Sequence, residues 1–172
     1  MNKSNVIAKA AEICKSHSIN TFPVPIVELC NSYGIKVFDE YLKNNVSGFI
    51  VIQNENYKDY ETNKVIVVNS FDSAARQRFT IAHELGHYIL HKGENELYAH
   101  RDVGDNNATE REANIFASNI LMPENLVKSF LNNLREDYWG FISDTQKILS
   151  VAENFAVSNL AAKVRLEQLD LI

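Results

Sequence analysis

The chain has 172 residues, of which 45% are hydrophobic and 23% are charged, a composition typical of a globular protein with its own core. It excludes a disordered, collagen-like or coiled-coil protein, and no apolar run reaches the roughly 18 residues that a membrane span needs. The net charge of −5 argues against nonspecific nucleic-acid binding, which needs a basic surface. Because the N-terminus lacks the apolar segment of a signal peptide, we expect a cytoplasmic protein without a membrane partner.

The first part of the chain predicts two helices followed by a small sheet. Apolar residues at helical spacing predict helices over 5–18 and 26–33, the second ending at Gly34. Short runs rich in β-branched residues then predict about three strands. These strands are expected over 35–38, 48–52 and 64–69. The middle strand is a candidate sheet edge, and an edge strand can bind an extended peptide by adding a strand.

The second part of the chain predicts only helices and loops. A long helix is expected over 73–91, with Ser70 or Asp72 as its N-cap. Further helices are expected over 108–121, 124–134 and, as a pair, 143–169, and a polar loop over 92–107 is long enough to be functional. The order of helices, strands and helices predicts an α+β fold. We divide it into a first domain, 1–134, and a C-terminal helical extension, 135–172, packed on it.

The motif His83-Glu84-Leu85-Gly86-His87 lies inside the long predicted helix. Residues four apart share one helical face, about 6 Å apart along the axis, so the two histidines can bind one Zn²⁺. Glu84 points to the side of that pair, where it can take a proton from a water that the metal has acidified. This pattern is typical of a zinc peptidase, provided that it lies on a helix.

Two features of this helix favour a metal site over an ordinary solvated face. Its apolar residues are Phe79, Ile81, Ala82, Leu85, Ile89 and Leu90. They predict a largely buried helix, on which two histidines and a glutamate need polar partners. Gly86 costs about 1 kcal/mol relative to alanine in mid-helix, so it predicts the close approach of another backbone.

A third ligand is expected from the helix that begins near residue 108, because a catalytic zinc takes three protein ligands. Glu110 and Asn114 are four apart and share a face. One of them can bind the metal while the other hydrogen-bonds the outer nitrogen of a ligating histidine. Glu112 is the competitor, but it lies about 200° around the helix from Glu110. Since Glu110 lies nearer to the apolar stripe that includes Ala113, we prefer Glu110 as the ligand.

These motifs resemble the ImmA/IrrE family of metallopeptidases. The matching segments are 76–91, 110–117 and 121–123, and the resemblance extends over roughly residues 24 to 130. The family is similar to the gluzincins, zincin-like peptidases with two histidines from HExxH and a downstream glutamate. The resemblance implies His83, His87 and Glu110 as metal ligands and Glu84 as the catalytic base. Asn114 stands where gluzincins often carry an aspartate that holds a ligating histidine.

The resemblance also implies a function. The family's members look like cytoplasmic regulators that cleave a DNA-binding repressor, often encoded by mobile elements or used in stress responses. We therefore expect a zinc-dependent endopeptidase whose protein substrate is a helix-turn-helix transcriptional repressor. Mn²⁺ or Fe²⁺ also suit a His₂Glu site. Some relatives carry an N-terminal helix-turn-helix module, whereas here the catalytic region begins almost at once, so we expect no direct contact with nucleic acid.

Four residues after the motif are weaker candidates. His91 follows His87 by four residues, so it is either a further ligand or a helix-end histidine near the C-terminal dipole. In the polar loop, His100 or Arg101 can stabilise the oxyanion of a peptidase, and Arg101 can instead bind substrate. Tyr98 lies in the same loop, and all three loop residues have the alternative of being ordinary surface residues.

Two further features have structural interpretations. Cys14 and Cys30 lie in apolar stretches without a CxxC motif, which predicts buried free thiols in a reducing compartment. The tail over 155–166 resembles a helix-turn-helix with Ser158 capping its second helix. With so few basic residues, we expect it to complete the core or to dock a partner instead of binding DNA.

Three functional hypotheses are open at this point. The first is a zinc endopeptidase, and the second is a non-cleaving zinc-containing regulator that binds a repressor or an antitoxin-like partner. Glu84→Gln discriminates them, because a peptidase loses its output while a binder keeps it. The third, a structural zinc protein, is less favoured. A structural site normally closes all four positions with protein ligands, often cysteines, and both cysteines lie far from the motif.

Overall fold

The computed structural model describes residues 1–43, 46–53, 62–91, 108–137 and 142–172. Within these ranges the chain forms seven α-helices and one three-stranded sheet, which confirms the α+β prediction. The helices are α1 (Lys3–Ser16), α2 (Ile26–Ser32), α3 (Ala74–Leu90), α4 (Ala108–Leu121), α5 (Glu124–Asp137), α6 (Asp144–Phe155) and α7 (Asn159–Gln168). The strands are β1 (Lys36–Glu40), β2 (Gly48–Ile52) and β3 (Lys64–Asn69).

The sheet has the strand order β1-β3-β2, with β1 parallel and β2 antiparallel to β3. The central strand β3 is buried from Val65 to Asn69, which accounts for its nearly continuous run of β-branched residues. Among the described strands β2 lies at an edge, as the sequence predicts. β1 begins one residue later than predicted and extends to Glu40, which pairs with Asn69.

Helix α3 packs against the sheet on one side and against α4 on another. Ile81, Ala82 and Leu85 of α3 belong to the same buried cluster as Ile50 and Ile66 of the sheet. The predicted N-cap is wrong, because Ser73, and neither Ser70 nor Asp72, caps the helix. The Ser73 hydroxyl accepts a hydrogen bond from the Arg76 amide at 3.3 Å. Asp72 lies in the turn that precedes it, where its own amide donates to Asn69.

Helices α3 and α4 approach each other closely at Gly86. A Cβ atom at Gly86 would lie 3.0 Å from Cδ1 of Phe116 and 3.3 Å from Cα of Ala113. Both distances are shorter than an ordinary carbon–carbon contact of about 3.5–4.0 Å. The expected close backbone approach is therefore confirmed, and it sets how near the side chains of α4 come to the HExxH motif.

The two C-terminal helices add to the same core. Phe155 of α6 stacks on Phe22 with ring centroids 4.6 Å apart and packs edge-on against Phe130 at 5.8 Å. Buried Arg165 of α7 donates from Nε to the carbonyl of Met122 at 3.0 Å. Ser158 caps α7 as predicted. The proposed division of the chain after residue 134 stays a prediction.

Two smaller predictions concern thiols and membranes. Cys14 and Cys30 are both buried and free, as expected. Burial raises the pKa of the Cys14 thiol to about 11 and that of the Cys30 thiol to about 12. No helix in the described part of the chain is both long and apolar enough to cross a membrane.

Candidate metal centre

Three side chains from α3 and α4 converge beside the close contact at Gly86. Ligand atoms of His83, His87 and Glu110 all lie within 4.8 Å of one another. The two Nε2 atoms of the histidines are 3.0 Å apart. Glu110 places Oε2 at 3.2 Å from Nε2 of His83 and Oε1 at 3.0 Å from Nε2 of His87. The HExxH spacing supplies the two nitrogens on one face of α3, and the first turn of α4 supplies the carboxylate.

The donor set and its spacing fit a zinc ion. Tetrahedral ligands at 2.0–2.1 Å from Zn²⁺ lie about 3.3 Å from one another, and the observed separations are 3.0 to 3.2 Å. Two imidazole nitrogens and a carboxylate that face one another concentrate lone pairs, and a cation between them relieves that repulsion. The same His₂Glu set also suits Mn²⁺ and Fe²⁺.

Asn114 contacts the outer nitrogen of His83. Its Oδ1 lies 2.9 Å from Nδ1 of His83, and an amide oxygen can only accept, so His83 carries its proton on Nδ1. The lone pair on Nε2 of His83 then faces the cluster, as metal binding requires. Glu110 and Asn114 thus share one flank of α4, as their spacing predicts. Glu112 lies elsewhere, with Oε2 at 3.0 Å from Nε2 of His91.

Glu84 lies between α3 and the edge strand and is only 2% exposed. Burial, and to a smaller extent the charge of Glu110, raise the pKa of its carboxyl to about 8, although a hydrogen bond from the Ile50 amide acts in the opposite direction. Its Oε2 is buried with no hydrogen-bond partner among the described residues. A buried carboxylate oxygen in that state needs an explanation, and a bound water or substrate group provides one.

The edge strand β2 lies directly beside α3. Its ladder to β3 includes bonds from Asn69 to Ser47 at 2.8 Å and from Gln53 to Asn63 at 3.1 Å. Since antiparallel residues alternate, the backbone groups of the even-numbered residues of β2 point away from β3, in keeping with the bond from the Ile50 amide to Glu84. The strand approaches closely because Gly48 has no side chain: a Cβ there would lie 2.5 Å from Cγ2 of Thr80.

An apolar groove of about 350 Å³ adjoins the cluster on the side of Asn114. It lies between α3, α4 and α7, and its lining includes Phe79, Ile115, Leu160 and Val164. Leu160 is 71% exposed and Val164 is 40% exposed. The sequence does not predict this groove directly, although two exposed apolar residues four apart on α7, Leu160 and Val164, are a signal for it.

The remaining sequence candidates are His91 and three residues of the polar loop. Tyr98, His100 and Arg101 lie outside the described residues. His91 is the C-cap of α3, as the helix-end alternative requires. The ring of His91 also makes two contacts that a helix-end position does not require. Nδ1 of His91 lies 3.2 Å from Nδ1 of His87, and Nε2 of His91 faces Glu112.

The fold and the cluster together define an α+β protein with a His₂Glu candidate metal centre on two crossing helices. A model of the IrrE N-terminal-like domain family, Peptidase_M78, matches residues 30–167. The chain therefore belongs to that family, which confirms the resemblance found in its motifs.

Individual relatives agree with this assignment. The chain is 34% identical over 106 residues to "Uncharacterized immunity region protein 2" of Bacillus phage phi105, which covers 61% of this chain and 63% of that protein. It is 40% identical over 74 residues to "Radiation response metalloprotease IrrE" of Deinococcus radiodurans, covering 39% of this chain and 22% of that protein. The match thus spans less than two thirds of either relative.

A solved structure shares the fold. The protein described as "Mycobacterium tuberculosis transcriptional regulator" superimposes with a TM-score of 0.60 and 18% sequence identity. The match covers 95% of this chain and 46% of that chain. At this level of identity the likeness concerns the fold alone.

Proposed function

We propose that this chain is a zinc-dependent endopeptidase in which His83, His87 and Glu110 bind the metal and Glu84 is the catalytic base. The observation that carries the proposal is the convergence of the three ligand side chains, with buried Glu84 on the same turn of α3. Membership of the family and the metalloprotease name of the Deinococcus relative support it.

Bound Zn²⁺ supplies a Lewis acid that polarises the scissile carbonyl and acidifies water. The protein's own contribution is proton transfer and orientation. Without a metal, burial and the charge of Glu110 raise the pKa of Glu84; a bound cation would lower it towards the range in which the carboxylate can accept a proton. Glu84 takes a proton from the attacking water and then delivers it to the leaving amine. Asn114 keeps His83 in the tautomer that has its free lone pair on Nε2.

Two surfaces beside the centre suit a polypeptide substrate. The edge strand β2 presents outward backbone groups besides the Ile50 amide that bonds to Glu84, and an extended peptide can pair with them as an added strand. The groove between α3, α4 and α7 offers apolar contacts to residues that flank the scissile bond.

We further propose that the substrate is a helix-turn-helix repressor and that cleavage takes place in the cytoplasm. The relatives named for a phage immunity region and for a radiation response support a regulatory substrate. The two free, buried cysteines are consistent with a reducing compartment.

The test compares wild-type protein with Glu84→Gln in cells, and mass spectrometry records new protein N-termini. We expect a new terminus inside a repressor with the wild type alone, while purified Glu84→Gln still binds about one Zn²⁺ per chain. Relief of repression by both variants without any new terminus would favour the non-cleaving regulator instead. Absence of any new terminus and any relief would refute the proposal.

A further inference from the structure

A second polar cluster lies directly behind the candidate metal centre. Nε2 of His91 lies 3.0 Å from Oε2 of Glu112. These two residues are here called the His91–Glu112 pair. On its other side His91 places Nδ1 at 3.2 Å from Nδ1 of His87. Two successive contacts therefore connect the outer nitrogen of His87, a candidate ligand, through His91 to the carboxylate of Glu112 on α4. Oε1 of Glu112 also accepts a hydrogen bond from the ammonium group of Met1.

Only one placement of protons satisfies these contacts with neutral imidazoles. A carboxylate accepts, so His91 carries its proton on Nε2 and donates it to Glu112. Nδ1 of His91 then has a free lone pair and accepts from Nδ1–H of His87. This leaves Nε2 of His87 with its lone pair towards His83 and Glu110, which is the form that binds a metal.

The surroundings of the pair keep this arrangement ordered. The side chains of His91 and Glu112 are 8% and 9% exposed, and that of His87 is 1% exposed. Water therefore competes little for these hydrogen bonds, and hydrogen bonds that involve a charged carboxylate are stronger than neutral ones. The carboxylate of Glu112 therefore determines the tautomer of His87 through two successive hydrogen bonds.

We propose that His91 and Glu112 are positioning residues for the metal centre: Glu112 fixes the tautomer of His91, and His91 orients His87 with Nε2 towards the metal. This inference rests on the proposed metal site. It assigns a role to Glu112 and His91, which both lie outside the cluster of His83, His87 and Glu110.

The two candidate ligand histidines differ in the partner of their outer nitrogen. Nδ1 of His83 faces a neutral group, the amide oxygen of Asn114. His87 receives a hydrogen-bond relay that ends in a carboxylate. An anionic outer partner raises the basicity of a ligating imidazole. We therefore expect His87 to depend more strongly on its outer partner than His83 does.

The first experiment measures zinc affinity by chelator competition and the d–d absorption of the Co²⁺-loaded protein. His91→Phe keeps the ring shape but removes both hydrogen bonds, so we expect zinc affinity to fall about 10–100-fold. His91→Asn retains an acceptor near the position of Nδ1, so it should recover part of that loss. Glu112→Gln should weaken zinc binding less than His91→Phe and should shift the Co²⁺ spectrum.

Tyr88→Phe is the matched control. Tyr88 is buried on the same helix, and its hydroxyl accepts from Nζ of Lys64 at 3.2 Å, so this variant also removes a polar contact from α3. It should leave zinc affinity and the Co²⁺ spectrum unchanged. Equal losses in Tyr88→Phe and His91→Phe would mean that zinc affinity reports general damage to α3, which would overturn the inference.

The second experiment reads the tautomers by ¹⁵N NMR of the zinc-loaded wild type. We expect the proton of His91 on Nε2 and that of His87 on Nδ1, and a proton on Nδ1 of His91 would overturn the inference. Failure of the inference is separable from failure of the proposed function. If the wild type binds no zinc, the metal site itself is wrong. If it binds zinc and His91→Phe binds equally well, only the positioning role is wrong.

Discussion

Gly86→Ala tests whether the contact between α3 and α4 sets the geometry of the metal centre. The new Cβ would lie 3.0 Å from Cδ1 of Phe116 and 3.3 Å from Cα of Ala113. Ordinary carbon contacts are about 3.5–4.0 Å, so the helices must separate by about 0.5 Å or Phe116 must rotate. Phe116 is fully buried, which leaves its ring little room to rotate.

Two opposing contributions determine the change in stability. Alanine is favoured over glycine in mid-helix by about 1 kcal/mol. Overpacking a buried contact costs about 1–3 kcal/mol. The free energy of unfolding of the metal-free protein should therefore fall by about 0–2 kcal/mol, which urea unfolding measures.

Zinc binding should respond more than stability does. Glu110 lies one turn before Ala113 on α4, and metal–ligand distances tolerate changes of only about 0.2 Å. A shift of α4 by about 0.5 Å should therefore weaken zinc affinity about tenfold. The double variant with Phe116→Leu should recover part of the zinc affinity, because it removes the nearest carbon. A more stable Gly86→Ala protein with unchanged zinc affinity would refute this reasoning.

Three other predictions follow from the site and the core. Glu110→Ala should abolish stoichiometric zinc binding, measured by metal analysis after gel filtration, whereas Glu112→Ala should retain it at reduced affinity. The reverse result would make Glu112 the ligand and Glu110 the positioning residue. Because burial raises the pKa values of Cys14 and Cys30 to about 11 and about 12, about one thiol in a thousand or fewer is ionised at pH 8. A thiol reagent should therefore label both cysteines only after unfolding, and rapid labelling of the native protein would contradict their burial. Leu160→Asp should raise the KM for a protein substrate several-fold and leave zinc affinity unchanged, and an unchanged KM would remove the groove from substrate binding.

The sequence predicts best what a single helix determines. HExxH places His83 and His87 on one face whatever surrounds them, and the spacing of Glu110 and Asn114 places both on one flank of α4. Gly86 carries a longer-range signal, because its cost in mid-helix indicates a close neighbour. The N-cap of α3 was missed because Ser70, Asp72 and Ser73 are all good caps, and the backbone of the preceding turn decides among them.

The partnership of His91 and Glu112 depends on how two helices cross, which no pattern within one helix contains. The helical spacing of Glu110 and Glu112, about 200° apart around α4, separates the two carboxylates. This spacing does not determine which group the second carboxylate contacts. Helix α4 packs against α3 at Gly86, and its two flanks contact α3 on either side of that glycine: Asn114 contacts His83, and Glu112 contacts His91. One short stretch of α4 therefore contacts histidines on both sides of Gly86, and the close approach that Gly86 permits brings both contacts within hydrogen-bond distance.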